Sequence, residues 1–337
     1  MIPNLYPDKP YGFLKGKRTE ISASTATVCS TVITFPMDSI KSRLQAYPAS
    51  YKGAVDCALD THKKEGFPGF FRGLLVPLAS ITFVRTLSFS VYSKTKHSLN
   101  NVMTETLGVN PTRHVATKGT LPTWYTVTCF GIAGGVAGAA ATFVACPMEL
   151  TKLTEQLSAK MSADSKGYKC PERKAIAASY LGKGPVGTLV TIAQQRGFAG
   201  LYTGFPLHMI RDTIGTGIYF AAYESSKHVF STAFNMEPTN NAVVYLSGGV
   251  SGIASWMLIY PLDRAKAEYQ REALELPRRK APLPPKITWF KRRSYRGLGV
   301  SMTRSFVINM LFFGIYENVK KTIDRLPDDK NFPENGF

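Results

Sequence analysis

Pro36-Met37-Asp38-Ser39-Ile40-Lys41-Ser42-Arg43-Leu44-Gln45 returns twice further along the chain. It stands again as Pro147-Met148-Glu149-Leu150-Thr151-Lys152-Leu153-Thr154-Glu155-Gln156, and as Pro261-Leu262-Asp263-Arg264-Ala265-Lys266-Ala267-Glu268-Tyr269-Gln270. Each copy sets an acid at +2, a lysine at +5 and a glutamine at +9 from its proline, and the prolines lie 111 and then 114 residues apart. Four positions that recur three times at a near-constant period divide the chain into three copies of one unit. The divisions fall at residues 1–110, 111–238 and 239–337.

Working outward from each proline, an apolar or small-residue segment precedes it: Ile21 to Phe35, Phe130 to Cys146, and Val243 to Tyr260. A second follows within each unit: Leu74 to Tyr92, Pro206 to Tyr223, and Gly299 to Tyr316. Six segments of this length read as three pairs of transmembrane helices in an all-α protein. Gly131, Gly134, Gly135 and Gly138 make overlapping GxxxG pairs and Gly248 with Gly252 another; small residues at that spacing admit close helix contacts. Between the helices of each unit a polar stretch ends in an aromatic-x-Gly triplet: Phe71-Arg72-Gly73, Tyr202-Thr203-Gly204 and Tyr295-Arg296-Gly297. The third such stretch, from Leu276 to Ser294, reads as irregular over Pro277 to Lys286 because of its prolines.

The 337 residues are 44% hydrophobic, yet mean hydropathy is only −0.07, as expected if each spanning helix turns one face to a watery cavity. A formal charge of +18 calls for an anionic partner or surface, and nucleic acid or anionic lipid would serve. No RNP, zinc-finger or homeodomain pattern supports the nucleic-acid reading. Cys29, Cys57, Cys129, Cys146 and Cys170 contain no CxxC pair and read as free thiols in apolar segments. His62, His97, His114, His208 and His228 fall in no metal-ligand or triad spacing, and there is no P-loop, so neither an enzyme, a cofactor nor a metal is expected. Met1 to Tyr11 holds three prolines and has neither a secretory signal nor an Arg-rich transit pattern.

Px[DE]xx[KR] closing an odd-numbered helix three times over resembles the mitochondrial carrier family across essentially the whole chain. Glu65-Gly66 followed by Phe71-Arg72-Gly73 completes the longer signature in the first unit. Arg196 and Thr203 depart from it in the second, and the third lacks the acid-Gly pair. The resemblance implies six transmembrane helices around a pseudo-threefold axis with short matrix-side helices, and a multi-pass monomer of the mitochondrial inner membrane. Its termini would face the intermembrane space.

An acid and a lysine three residues apart share one helix face, and within a bilayer they need partners. The family pattern pairs Asp38 with Lys152, Glu149 with Lys266, and Asp263 with Lys41 as a matrix gate, with Gln45, Gln156 and Gln270 one turn along to brace the pairs. The family's second motif, [FY][DE]xx[KR], stands as Tyr223-Glu224…Lys227 and Tyr316-Glu317…Lys320, with Ser93…Lys96 a degenerate first copy. It implies a cytoplasmic gate of Glu224 with Lys96 and Glu317 with Lys227, in which Lys320 meets Ser93 rather than an acid.

Central binding positions in the family lie twelve to thirteen residues before the closing acid, which here gives Arg211, Asp212, Arg304, Ser80 and Ile81, with Arg85 one turn further. An Arg-Asp pair there resembles carriers of amino acids and carnitine: Asp212 would hold a substrate cation while Arg304 or Arg211 binds a carboxylate. Arg211 and Asp212 satisfying each other as a structural pair is the alternative. Three arginines against one acid also suit a dicarboxylate or phosphorylated anion, and a transport-inactive scaffold of this fold stays open. Arg72, Gly73, Gly204, Arg296 and Gly297, near helix N-termini, would bind the phosphates of cardiolipin.

Overall fold

The computed structural model describes residues 17–117, 120–164, 170–238, 240–277, 282–283, 287–289, 292–295 and 297–326. They form α1 (Arg18–Ala46), α2 (Ala54–Glu65), α3 (Leu75–Leu107), α4 (Pro111–Ala116), α5 (Trp124–Asp164), α6 (Pro171–Ser179), α7 (Gly184–Arg196), α8 (Phe205–Ala233), α9 (Asn241–Glu275) and α10 (Leu298–Asp324). Short 3₁₀ turns at Phe67–Phe71, Phe198–Tyr202 and Arg292–Tyr295 precede the even members of each pair. No strand occurs among the described residues. Pro36, Pro147 and Pro261 all sit inside continuous helices, where each lacks the N–H that would close its own turn. Nearly half of the Leu276–Ser294 stretch, including 278–281 and 284–286, lies outside the described residues.

The chain divides into two compact units, one of α1 up to Phe35 with the chain from Thr303, the other from Pro36 to Met302. In the first, Arg18 and Asp324 pair at 3.1 Å on the surface, a contact contributing at most about 1 kcal/mol.

In the second unit α5 packs against α3 and α8, and α8 packs in turn on α9. The α5–α8 seam is made by glycines. A Cβ at Gly134 would sit 2.7 Å from the Thr216 carbonyl oxygen, one at Gly217 would sit 2.9 Å from that of Gly131, and one at Gly138 would overlap the Asp212 carbonyl. Only backbones without side chains approach this closely. The GxxxG pair of α9 does not act this way: a Cβ at Gly248 or Gly252 meets nothing within 4 Å among the described residues.

Below the prolines a core of Leu44, Tyr47, Leu150, Leu157, Met161, Ile192 and Leu274 joins α1, α5, α7 and α9. Buried polar bonds tie the same region. Arg43 forks onto Glu65, with Nη2 3.0 Å from Oε2, while fully buried Glu275 accepts from Arg173 at 2.7 Å and from the Tyr47 hydroxyl at 3.2 Å. Arg196, where the first repeat has Glu65, donates to the carbonyl of Leu276 at 2.9 Å and to that of Ala273, so it caps the end of α9. Unpaired carbonyls at a helix C-terminus favour such a cation.

Outward faces are apolar: Ile132, Val136 and Phe143 on α5, and Leu246, Val250, Ile253 and Met257 on α9 are exposed. Interior positions carry Asp38, Gln45, Asp263, Lys266 and Gln270. Apolar surface outside and charge inside is the arrangement a lipid solvent demands. Among the described residues four helical stretches are long and apolar enough to cross a membrane: Phe67–Leu107, Trp124–Asp164, Ala242–Glu275 and Leu298–Asp324. The other two expected spans, α1 and α8, fall short because Ser and Thr fill the first, and His208, Arg211 and Asp212 interrupt the second. All five cysteines are free, but Cys170 is exposed rather than set in an apolar segment, and Cys57 lies on α2, where burial pushes its thiol up to about 11.

Candidate substrate site

The repeated acids and lysines meet across units of the sequence. Lys152 Nζ lies 2.9 Å from Asp38 Oδ2, Lys41 Nζ 3.0 Å from Asp263 Oδ2, and Lys266 Nζ 2.6 Å from Glu149 Oε2. Lys41 also stands 4.0 Å over the Trp256 ring, a favourable face for a cation. A cavity of about 70 Å³ is lined by these six charges and by Gln45, Gln156 and Gln270.

The glutamines do not act alike. Gln45 donates to Asp263 at 2.8 Å, whereas Gln270 donates to the carbonyl of Thr203 at 3.0 Å. Gln156 is fully buried, and neither of its amide atoms is bonded among the described residues. Only Gln45 braces a pair; Gln270 is diverted because Gly204 brings the preceding turn against it, the Gly204 Cβ position lying 3.0 Å from Gln270 Cγ.

Above the pairs, α8 presents His208, Arg211 and Asp212 on one face. Arg211 is shared among three carboxylates: Nε reaches Asp212 Oδ1 at 2.7 Å, and Nη1 reaches Asp263 Oδ1 at 2.7 Å and Glu149 Oε1 at 3.0 Å. His208 Nε2, fully buried, lies 2.6 Å from Glu149 Oε2 and 3.1 Å from Asp212 Oδ2. The Thr142 hydroxyl on α5 completes the shell of Asp212 at 3.0 Å; it reaches because Gly138, one turn earlier, lets α8 come down on α5. Glu149 is the most open of the three acids, its side chain 37% exposed against 17% for Asp212 and 6% for Asp263.

His208 was invisible to motif spacing. Its signal is local: it precedes Arg211 by three and Asp212 by four residues, the offsets that put side chains on one helical face.

The other expected site residues lie on α3 and α10. On α3, the Ser80 hydroxyl donates to its own helix at the Val76 carbonyl, 2.9 Å away, Ile81 is half-buried and Arg85 is exposed. Arg304 stands on α10 in the other compact unit.

Glu224 is bound to Lys227 of its own helix at 2.7 Å, not to Lys96. Residues one turn apart meet whatever the helix spacing, so Lys227 captures the acid when Lys96 is out of reach. Lys96 lies over the Tyr92 ring at 5.5 Å and Lys320 over Tyr316 at 5.8 Å. The side chain of Glu317 lies outside the described residues.

Of the expected lipid ligands, Gly73, Gly204 and Gly297 share φ between 79° and 89°, a left-handed backbone that favours glycine. Each also packs on a proline-bearing helix: the Cβ positions of Gly73 and Gly297 fall 3.0 Å from the Lys152 carbonyl oxygen and 3.4 Å from Leu44 Cβ. Arg72 is drawn to Glu65 at 3.4 Å, and Arg296 lies outside the described residues.

Three helix pairs, each with an internal proline and charges that pair across repeats beneath a polar, acid-rich cluster, define a membrane solute carrier. Residues 18–103 and 123–234 match the family model described as mitochondrial carrier protein, and the chain belongs to the mitochondrial carrier family. It has that family's six-helix, three-repeat fold and is a multi-pass transporter of the mitochondrial inner membrane that takes a small-molecule substrate. The chain is 30% identical over 304 residues to mitochondrial ornithine transporter 1 of Schizosaccharomyces pombe, covering 89% of this chain and 91% of that protein. It is 29% identical to the mitochondrial basic amino acids transporter of Bos taurus, with 85% of each covered, and 28% identical to mouse solute carrier family 25 member 45, with 85% and 92% covered.

Proposed function

We propose that this carrier moves an amino acid with a cationic side chain. The observation that carries the reading is the convergence of Asp212, Glu149 and Asp263 on the single guanidinium of Arg211. A zwitterion can open the Arg211–Asp212 pair without leaving either charge bare, its ammonium taking Asp212 and its carboxylate taking Arg211 bidentately. The remaining positive charge is met by Glu149, the most accessible of the acids. The printed names of the ornithine and basic amino acids transporters support the same class. Arg211–Asp212 is then both a structural pair at rest and the substrate's point of entry.

Transport follows by alternating access. The three cross-repeat pairs form the matrix gate, while Lys96, Glu224 and Lys227 belong to a cytoplasmic gate that stands open when Glu224 holds Lys227. The termini face the intermembrane space, the carrier works as a monomer of three repeats, and the positive-φ glycines Gly73, Gly204 and Gly297 offer helix N-termini to cardiolipin phosphates. Substrate shifts the balance between states only through its differential affinity for them.

The test is uptake into proteoliposomes of ornithine, an acylcarnitine and a dicarboxylate by wild type and Asp212→Asn. Loss of a charge-assisted hydrogen bond worth about 1.5–3 kcal/mol lowers apparent affinity for ornithine by one to two decades. Undiminished uptake of every transported compound by the variant refutes the assignment.

A further inference from the structure

Arg211 Nη2 stands 3.1 Å from His208 Nε2, but the same nitrogen faces two ionised acceptors, Glu149 Oε2 at 2.6 Å and Asp212 Oδ2 at 3.1 Å, which assign the ring the tautomer with its hydrogen there. One N–H donates fully to only one of them at a time, and neither carboxylate has a hydrogen to return. Glu149 Oε2 is meanwhile the oxygen that holds Lys266, also at 2.6 Å, with Arg211 Nη2 at 3.2 Å. Three donors therefore crowd one oxygen, and one of them is divided between that oxygen and the substrate-facing acid.

We propose that His208 is a positioning residue that couples occupancy of Asp212 to release of the Glu149–Lys266 pair. A substrate ammonium on Asp212 satisfies that carboxylate and withdraws it as an acceptor for His208. The N–H then turns wholly to Glu149 Oε2 and competes with Lys266 for the same lone pairs. The matrix-side pair loosens when, and because, the site above it fills.

The imidazole is suited to this: it is fully buried on α8, so its ring cannot swing to solvent, and it stands one turn from Asp212 on the same face. The proposal rests on the reading that Asp212 receives the substrate cation, and it goes beyond that reading by naming the link to the gate.

Glutamine places its amide nitrogen where Nε2 stands, and asparagine places its own where Nδ1 stands. His208→Gln and His208→Asn are therefore compared with wild type for ornithine exchange in proteoliposomes, with kcat and KM resolved and the melting temperature of each purified carrier recorded. His208→Gln is expected to keep kcat within about threefold. His208→Asn is expected to lose roughly tenfold or more in kcat with KM nearly unchanged, the signature of an interaction that acts after binding.

Equal kcat in the two variants overturns the coupling. So does a rise in KM that accounts for the loss, or a melting temperature that falls in step with transport, which would give His208 a binding or structural role. Transport of an acylcarnitine instead of ornithine, its ammonium still on Asp212 and the Gln–Asn split intact, overturns the substrate class and leaves the coupling standing. Ornithine transport without the split does the reverse, and no uptake of any compound by wild type overturns both.

Discussion

Asp263→Asn changes one atom in the most buried of the three carboxylates around Arg211. Its two oxygens accept from Lys41 at 3.0 Å, Gln45 at 2.8 Å and Arg211 at 2.7 Å, with the side chain only 6% exposed. Asparagine keeps the shape, removes the charge, and turns an N–H₂ group towards donors. Each lost charge-assisted bond is worth about 1.5–3 kcal/mol, but the three share one carboxylate and do not add. The better measure is the removal of one partner from a buried pair, about 3–5 kcal/mol. That range corresponds to roughly two to three and a half decades in the equilibrium that keeps the pairs closed. The assay is a double-mutant cycle on thermal unfolding of the purified carrier, with Asp263→Asn, Lys41→Gln and the two combined. Because Lys41 loses its acid in the first variant and Asp263 its cation in the second, the double variant should be less destabilised than the sum by about 1.5–3 kcal/mol. Additivity within roughly 0.5 kcal/mol would refute the pairing.

Three further outcomes follow from packing and burial. Gly138→Ala drives a methyl group into the Asp212 carbonyl, so it should destabilise by about 1–3 kcal/mol and weaken substrate binding through the displaced Asp212, read as a lower melting temperature together with a raised KM. N-ethylmaleimide at neutral pH should label exposed Cys170 in the folded carrier and spare buried Cys57, as mass spectrometry of the labelled protein will show. The folded Cys57 thiol keeps its proton to about 11 while the ordinary value is 9.0. The unfolded chain therefore releases that proton first, and Cys57 erodes stability as pH climbs from 9 to 11.

The parts of this architecture that repeat were readable in the chain. Asp38, Glu149 and Asp263 recur with Lys41, Lys152 and Lys266 at one spacing, and periodicity alone aligns them on equivalent helix faces. What one copy holds by itself was not readable. Gln45, Gln156 and Gln270 are identical in the pattern yet bond differently, because their surroundings differ: Gln45 meets an acid, Gln270 the Thr203 carbonyl, and Gln156 no polar partner among the described residues. His208 occurs in a single repeat, so no period marks it, and its partner Glu149 lies 59 residues away on another helix. Glu275 binds Arg173 and Tyr47, neither of which belongs to any recurring motif. The far-end pair Glu224–Lys96 depends on how closely separate helices stand, a property of conformation that no spacing records; Lys227, one turn along, takes the acid instead.

The glycine seam between α5 and α8 separates two kinds of inheritance. Where Gly134, Gly138 and Gly217 touch backbone, any side chain at all is an obstruction, so lineages that change these positions lose the scaffold before they gain anything. Thr142 and Asp212 hang from that rigid frame as side chains alone, and on the reading proposed above replacing either alters what the site recognises without moving the helices that carry it. A carrier organised in this way can acquire a new cargo by a handful of single-codon steps while its moving parts stay as they were.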